Sequence, residues 1–130
     1  MPGYTLNENL VGLQGAQLAD STYSLPCEVA ALYTYAGSVS ATSTYSSLSP
    51  DTTTATDIFS LWTITASGGV STATQIITFS SPGGGTYYGV LLYTGSANKG
   101  CYAITFPSSV TLAAGGKIAV TINLTFQQCA

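Results

Sequence analysis

The sequence predicts an all-β fold, an antiparallel β-sandwich of jelly-roll type carrying a short N-terminal helix or arm. Three observations predict it. β-Branched and aromatic residues dominate from Leu25 onward, Gly-, Pro- and Ser-rich breaks interrupt them at intervals, and the last segment alternates apolar and polar residues. The chain has 130 residues, which suits one domain around one core. We divide it into an arm or short helix at 1–24 and a single sandwich domain at 25–130, with a long Ser/Thr-rich loop at 37–57.

The first segment places Leu6, Leu10, Leu13 and Leu18 near one helical face, with polar residues between them. Gly12 and Gly15 each cost a helix about 1 kcal/mol relative to alanine, so such a helix would depend on packing against another body. Strands are expected at 28–35, 58–66, 74–79, 86–94, 101–106 and 117–126, with a short one at 110–112. Breaks are expected at 67–69, 82–85, 97–100, 107–109 and 115–116. In the final strand Ile118, Val120, Ile122, Leu124 and Phe126 alternate with Ala119, Thr121, Asn123 and Thr125, giving one core face and one polar face. Tyr87 to Tyr93 is apolar on both faces. That pattern fits a strand in mid-sheet whose outer face is also covered, as a neighbouring subunit would cover it. The segment 37–56 is nearly all Ser, Thr, Ala and Tyr and reads as a long loop or arm.

Charge is scarce. Two lysines, Lys99 and Lys117, face five acids, Glu8, Asp20, Glu28, Asp51 and Asp57, whereas about a quarter of an ordinary soluble domain is charged. Twenty Thr and sixteen Ser supply the polarity instead. With no His and no Arg, Ser-His-Asp and Cys-His nucleophile systems, His-ligated zinc and guanidinium clamps on phosphate are excluded. Two lysines cannot neutralise a phosphate backbone, so no nucleic-acid partner is expected. Apolar runs such as Val90-Leu91-Leu92-Tyr93 fall far short of the roughly 20 residues needed to cross a bilayer, so no membrane partner is expected either. The start MPGYTLNENL shows no secretion signal.

Candidate sites are few. Gly83-Gly84-Gly85 lacks the Gly-Lys-Ser/Thr of a phosphate loop and reads as a hairpin turn. Asp51 and Asp57 lack the further carboxylates that calcium or glycoside chemistry would require, and read as solvated loop residues or caps. Glu28 reads as an edge charge. Trp62 and the tyrosines suit a core or a protein contact, with sugar stacking as the rival reading. Asn123-Leu124-Thr125 fits a glycosylation sequon, but nothing else argues for a eukaryotic secretory setting. Cys27, Cys101 and Cys129 are odd in number and are expected as reduced, partly buried thiols, a bridge being the alternative. We expect no enzyme, no cofactor and no metal.

Leu25-Pro26-Cys27-Glu28-Val29-Ala30-Ala31-Leu32-Tyr33-Thr34 resembles the LP-x-x-x-YVALYT opening of a widespread group of small tailed-phage virion proteins. Ile76-Ile77-Thr78-Phe79 and Gly89-Val90-Leu91-Leu92-Tyr93-Thr94 are similar to its ITFP and HFGLYDA strands. Ser96 to Ala103 stands where GGNLLFYG usually lies, and Val110 to Ile118 resembles KTVAAGDTLSF. The match runs in order from Leu25 to Phe126 through short apolar motifs. This chain departs from the group in lacking the Gly-Gly-x-Tyr-Ala-Arg segment, having Thr52-Thr53-Thr54-Ala55-Thr56-Asp57 instead, and in carrying Thr94 where the group has aspartate. Both departures remove charge.

The resemblance implies an all-β, non-catalytic virion component, either a head decoration protein or a tail-fibre-like one. The expectation is therefore a capsid cement or decoration protein on the outer surface of the head, synthesised in the host cytoplasm. Its partners would be the major capsid protein and copies of itself. A tail-fibre or collar piece binding a host surface glycan is the alternative, and a secreted carbohydrate-binding or adhesin module a third reading. Low charge and exposed sheet edges favour association independently of the resemblance. Expected contact residues are Leu6, Leu10 and Leu13 of the N-terminal segment, Tyr45 of the Ser/Thr arm, and Phe126 with the tail after it.

Overall fold

The computed structural model describes residues 3–5, 29–58, 63–67, 70–95 and 98–127. Among them, strands β1 (Gly3–Thr5), β2 (Val29–Tyr33), β3 (Thr56–Asp57), β4 (Thr63–Ser67), β5 (Val70–Ser81), β6 (Gly85–Thr94), β7 (Lys99–Leu112) and β8 (Gly116–Gln127) form two sheets. A five-stranded sheet runs β1-β7-β6-β2-β3 and a three-stranded sheet runs β4-β5-β8, with every pair antiparallel. The chain is an all-β sandwich. Leu6, Leu10 and Leu13, with the helix expected around them, lie outside the described residues, as does Trp62. Gly3–Thr5, in the segment read as arm or helix, is instead an edge strand on β7.

Side-chain alternation decides which face of each strand turns inward. Ile77 and Phe79 of β5 and Val120 and Ile122 of β8 meet Ala30, Leu32, Val90, Leu92, Ile104 and Phe106 of the larger sheet, and all are buried. Each large side chain removed from water there contributes about 1.5–3 kcal/mol. The expected alternation in the last strand holds over the residues whose side chains are described: Ile118, Val120 and Ile122 face the core while Ala119, Thr121 and Asn123 are exposed. Gln75 also faces inward, 6% exposed, and its Oε1 has no hydrogen-bond partner. Because an unsatisfied buried acceptor is destabilising, Gln75→Leu is expected to raise stability by about 1 kcal/mol, read as a higher urea midpoint.

Two expected breaks have a different meaning in three dimensions. The 82–85 segment is not a hairpin turn, because β5 and β6 belong to different sheets and the turn carries the chain from one layer to the other. The 113–115 turn carries it back, and the two turns touch: the Gly115 N–H donates to the Ser81 carbonyl at 2.7 Å. Gly84 has a φ of +71°, and a Cβ there would sit 2.8 Å from the Leu112 carbonyl oxygen, so only glycine fits between the crossings. At 107–109 the strand does not end. Gly89 pairs with Thr105 and Tyr87 with Val110, so residues 106–109 oppose Tyr88 alone in a wide bulge. Pro107, which has no N–H to donate, falls where the ladder is already interrupted.

The outer face of the five-stranded sheet is covered from within the chain. Ala31, Tyr33, Leu91, Tyr93 and Ala103 form a second buried cluster with Val39 and Leu48 of the Ser/Thr-rich segment. This corrects the expectation of a neighbouring subunit over Tyr87 to Tyr93. It also corrects the reading of that segment as a plain loop. It holds helix α1 (Tyr45–Leu48), with Thr44 and Ser47 in a reciprocal capping box, and a 3-10 turn (Thr52–Thr54) capped by Asp51. Caps and two apolar side chains, Val39 and Leu48, anchor a stretch whose composition alone signals loop.

Candidate functional site: a locked corner and an open sheet edge

At one end of the sandwich, hydroxyls and one carboxylate tie four pieces of chain together. Ser81 ends β5, Tyr87 lies near the start of β6, and Asp51 belongs to the covering segment. The Tyr87 hydroxyl donates to Asp51 Oδ2 at 2.7 Å, so the Ser81 hydroxyl, 2.6 Å from Tyr87 Oη, is the donor in that second bond. Asp51 Oδ1 accepts from the Thr53 N–H at 3.0 Å and the Thr53 hydroxyl at 2.6 Å. Thr54 completes the tie, its Oγ1 donating to the Asp51 carbonyl and accepting from the Leu32 N–H of β2. Asp51 N–H in turn donates to the Leu32 carbonyl at 2.8 Å.

These contacts set the protonation states. Burial pushes the Asp51 carboxyl upward, but the hydrogen bonds from Thr53 and Tyr87 outweigh it and hold the group below its ordinary value. Burial and the adjacent carboxylate raise the Tyr87 phenol against the opposing bond from Ser81. At neutral pH the arrangement is one anion whose oxygens accept three donors. Ser81 is fully buried, and its bond to Tyr87 carries the tie from β5 through Tyr87 to the Asp51 carboxylate. Asp51 is thus the cap the sequence suggests, with a second role toward Tyr87 that no spacing signals, because residue 87 lies 36 positions away.

Cys101 apart, the remaining sequence candidates among the described residues are not brought together. Asp57 is exposed on β3. Tyr45 of α1 is partly buried edge-on against Tyr93 of β6, ring centroids 4.9 Å apart. Phe126 belongs to β8, paired in register with Ser71, and the residues after Gln127 lie outside those described. Tyr33, Tyr87 and Tyr93 are buried and present no ring to a sugar. Cys101, fully buried at a bulge of β7, is disulfide-bonded, which corrects the expectation of three reduced thiols. Cys27 and Cys129 lie outside the described residues. The strand topology that allows a bridge cannot be inferred from cysteine spacing.

Among the described residues no three His, Cys, Asp or Glu side chains cluster as metal ligands, and no helix is long and apolar enough to cross a membrane. A cavity of about 80 Å³ opens between Gly3, Tyr102 and Ile104 of the larger sheet and Thr121 and Asn123 of β8. Ligand pockets generally need about 300 Å³ or more, so this gap suits water rather than a small molecule. What is left is surface. The outside of the smaller sheet presents Thr74, Ile76, Thr78 and Ser80 of β5 beside Ala119, Thr121 and Asn123 of β8. Ile76 is 70% exposed, and the Thr74 hydroxyl donates to Asn123 Oδ1 at 2.8 Å. Lys117 is the single charge on either strand. No family model, curated protein or solved structure matches the chain.

Proposed function

We propose that this chain is a non-enzymatic structural component of a tailed-phage virion, a cement or decoration protein that binds across capsid subunits on the outside of the head. The observation that carries the proposal is the exposed face of the smaller sheet, rich in hydroxyls and nearly uncharged, with Ile76 standing out of it. Seven ionised side chains in 130 residues leave little repulsion to keep such a face solvated alone. Binding only to the assembled shell would stabilise that shell by mass action. The ordered resemblance from Leu25 to Phe126 supports the same setting, and the Cys101 disulfide suits a protein that works outside the reducing cytosol.

The glycan-binding alternative is less favoured, because Tyr33, Tyr87 and Tyr93 are buried and Tyr35 is the one exposed tyrosine among the described side chains. The test is the stoichiometry of purified particles by quantitative mass spectrometry. The proposal expects on the order of hundreds of copies per head, following capsid symmetry, and a lower temperature of head rupture without the protein. A count of about a dozen, as for a fibre, would refute it.

A further inference from the structure

We infer that β8 is a self-association edge, pairing antiparallel with β8 of a second copy across a twofold axis to give a continuous six-stranded sheet. This inference does not depend on the virion reading. Among the described residues β8 pairs with β5 alone, leaving the other side of a twelve-residue strand open. Exposed edges usually carry protection: short length, proline, a mid-strand charge or a bulge. In the larger sheet the edge strand β3 follows that rule with two residues. β8 has none of these devices. It contains no proline, its one charge is Lys117 near its start, and its register with β5 is unbroken from Gly116 to Gln127. Beside Thr121 and Asn123 a cavity of about 80 Å³ separates β8 from Gly3, Tyr102 and Ile104 of the other sheet.

A second copy is the occupant that the strand's own pattern fits. Opposed residues of an antiparallel pair share a face, so an axis through Thr121 sets Thr121 against Thr121, Ala119 against Asn123 and Val120 against Ile122. Exposed polar positions then meet exposed positions, and buried apolar ones meet buried ones. Lys117 falls opposite backbone position 125, which keeps the two lysines about 27 Å apart. A parallel pairing would set them side by side.

Sedimentation or light scattering of the purified chain from about 1 to about 200 µM provides the test, with a mass rising from 13.3 kDa toward twice that value as the expected result. Thr121 is exposed, so Thr121→Lys and Thr121→Glu are expected to leave the circular dichroism unchanged while weakening self-association about tenfold or more. Mixing the two variants should restore the dimer. Asn123→Lys serves as a second probe of the same edge. A wild-type chain that stays monomeric throughout, a trimer or larger ring, or charge variants that dimerise as well as the wild type would each overturn the inference.

Discussion

Replacing Gly89 with alanine is expected to remove about 3 kcal/mol or more of folding stability, a large part of what a domain of this size possesses. Gly89 lies between Tyr33 of β2 and Thr105 of β7. A Cβ there would run into the Ile104 carbonyl oxygen and lie 2.5 Å from the Tyr33 ring. The missing side chain lets the ring run over β6, so that the Tyr33 hydroxyl reaches Thr105 Oγ1 at 3.2 Å. Relief would require moving a backbone carbonyl in the centre of the sheet or turning a fully buried tyrosine out of its place. Gly83, whose added Cβ would meet nothing within 4 Å, is the control and should change little on the same substitution. Urea unfolding of both variants measures the difference. A loss below about 1 kcal/mol for Gly89→Ala would mean that the sheet tolerates the methyl group and that the Tyr33 packing is not what holds it.

The second large effect is expected at Asp51. Asp51→Ala leaves the Tyr87 hydroxyl and both Thr53 donors without their acceptor, at a cost of about 2 kcal/mol, part of it recovered by solvent because the site is only half-buried. The same carboxylate sets the acid limb of stability. Its folded value lies below the ordinary 3.8, so its contribution is complete above that pH and is lost as the pH falls below it and the folded group takes up a proton. Tyr87 works in the opposite direction. Its folded value is raised above 10.0, so its contribution is complete below that pH and declines as the pH rises through the alkaline range. Thermal unfolding followed from pH 3 to pH 7 should therefore show a shallower acid limb in Asp51→Ala than in the wild type. Parallel acid limbs would mean that the carboxylate is not bonded in the folded chain.

Much of the architecture was legible in the residues because it depends on short-range pattern. The alternation around Ile118, Val120 and Ile122 follows from a side-chain period of two, and it locates one face of β8 without knowledge of any partner. Val29–Tyr33 and Gly85–Thr94 fall within a few residues of the expected strands for the same reason. The candidate surface was less legible. Tyr45 was an apolar ring in a stretch of Ser and Thr, which suggests an outward contact. Its ring instead packs against Tyr93, in a different part of the chain, and the capping box of Thr44 and Ser47 presents it there.

The amino-acid order by itself determined an all-β body, the inward faces of its strands, and the exclusion of histidine and arginine chemistry, because these depend on composition and local period. Only the tertiary structure decided that β5 and β6 occupy different sheets, that residues 37–56 roof the larger sheet, that Asp51 bonds Tyr87, that Cys101 is bridged, and that among the described residues β8 pairs with β5 alone. Each of those depends on how residues far apart in the chain are placed. Period-two patterning names a strand's faces but not its neighbours, so sheet order is set by which pairings bury the most apolar surface together while leaving the fewest polar groups unsatisfied.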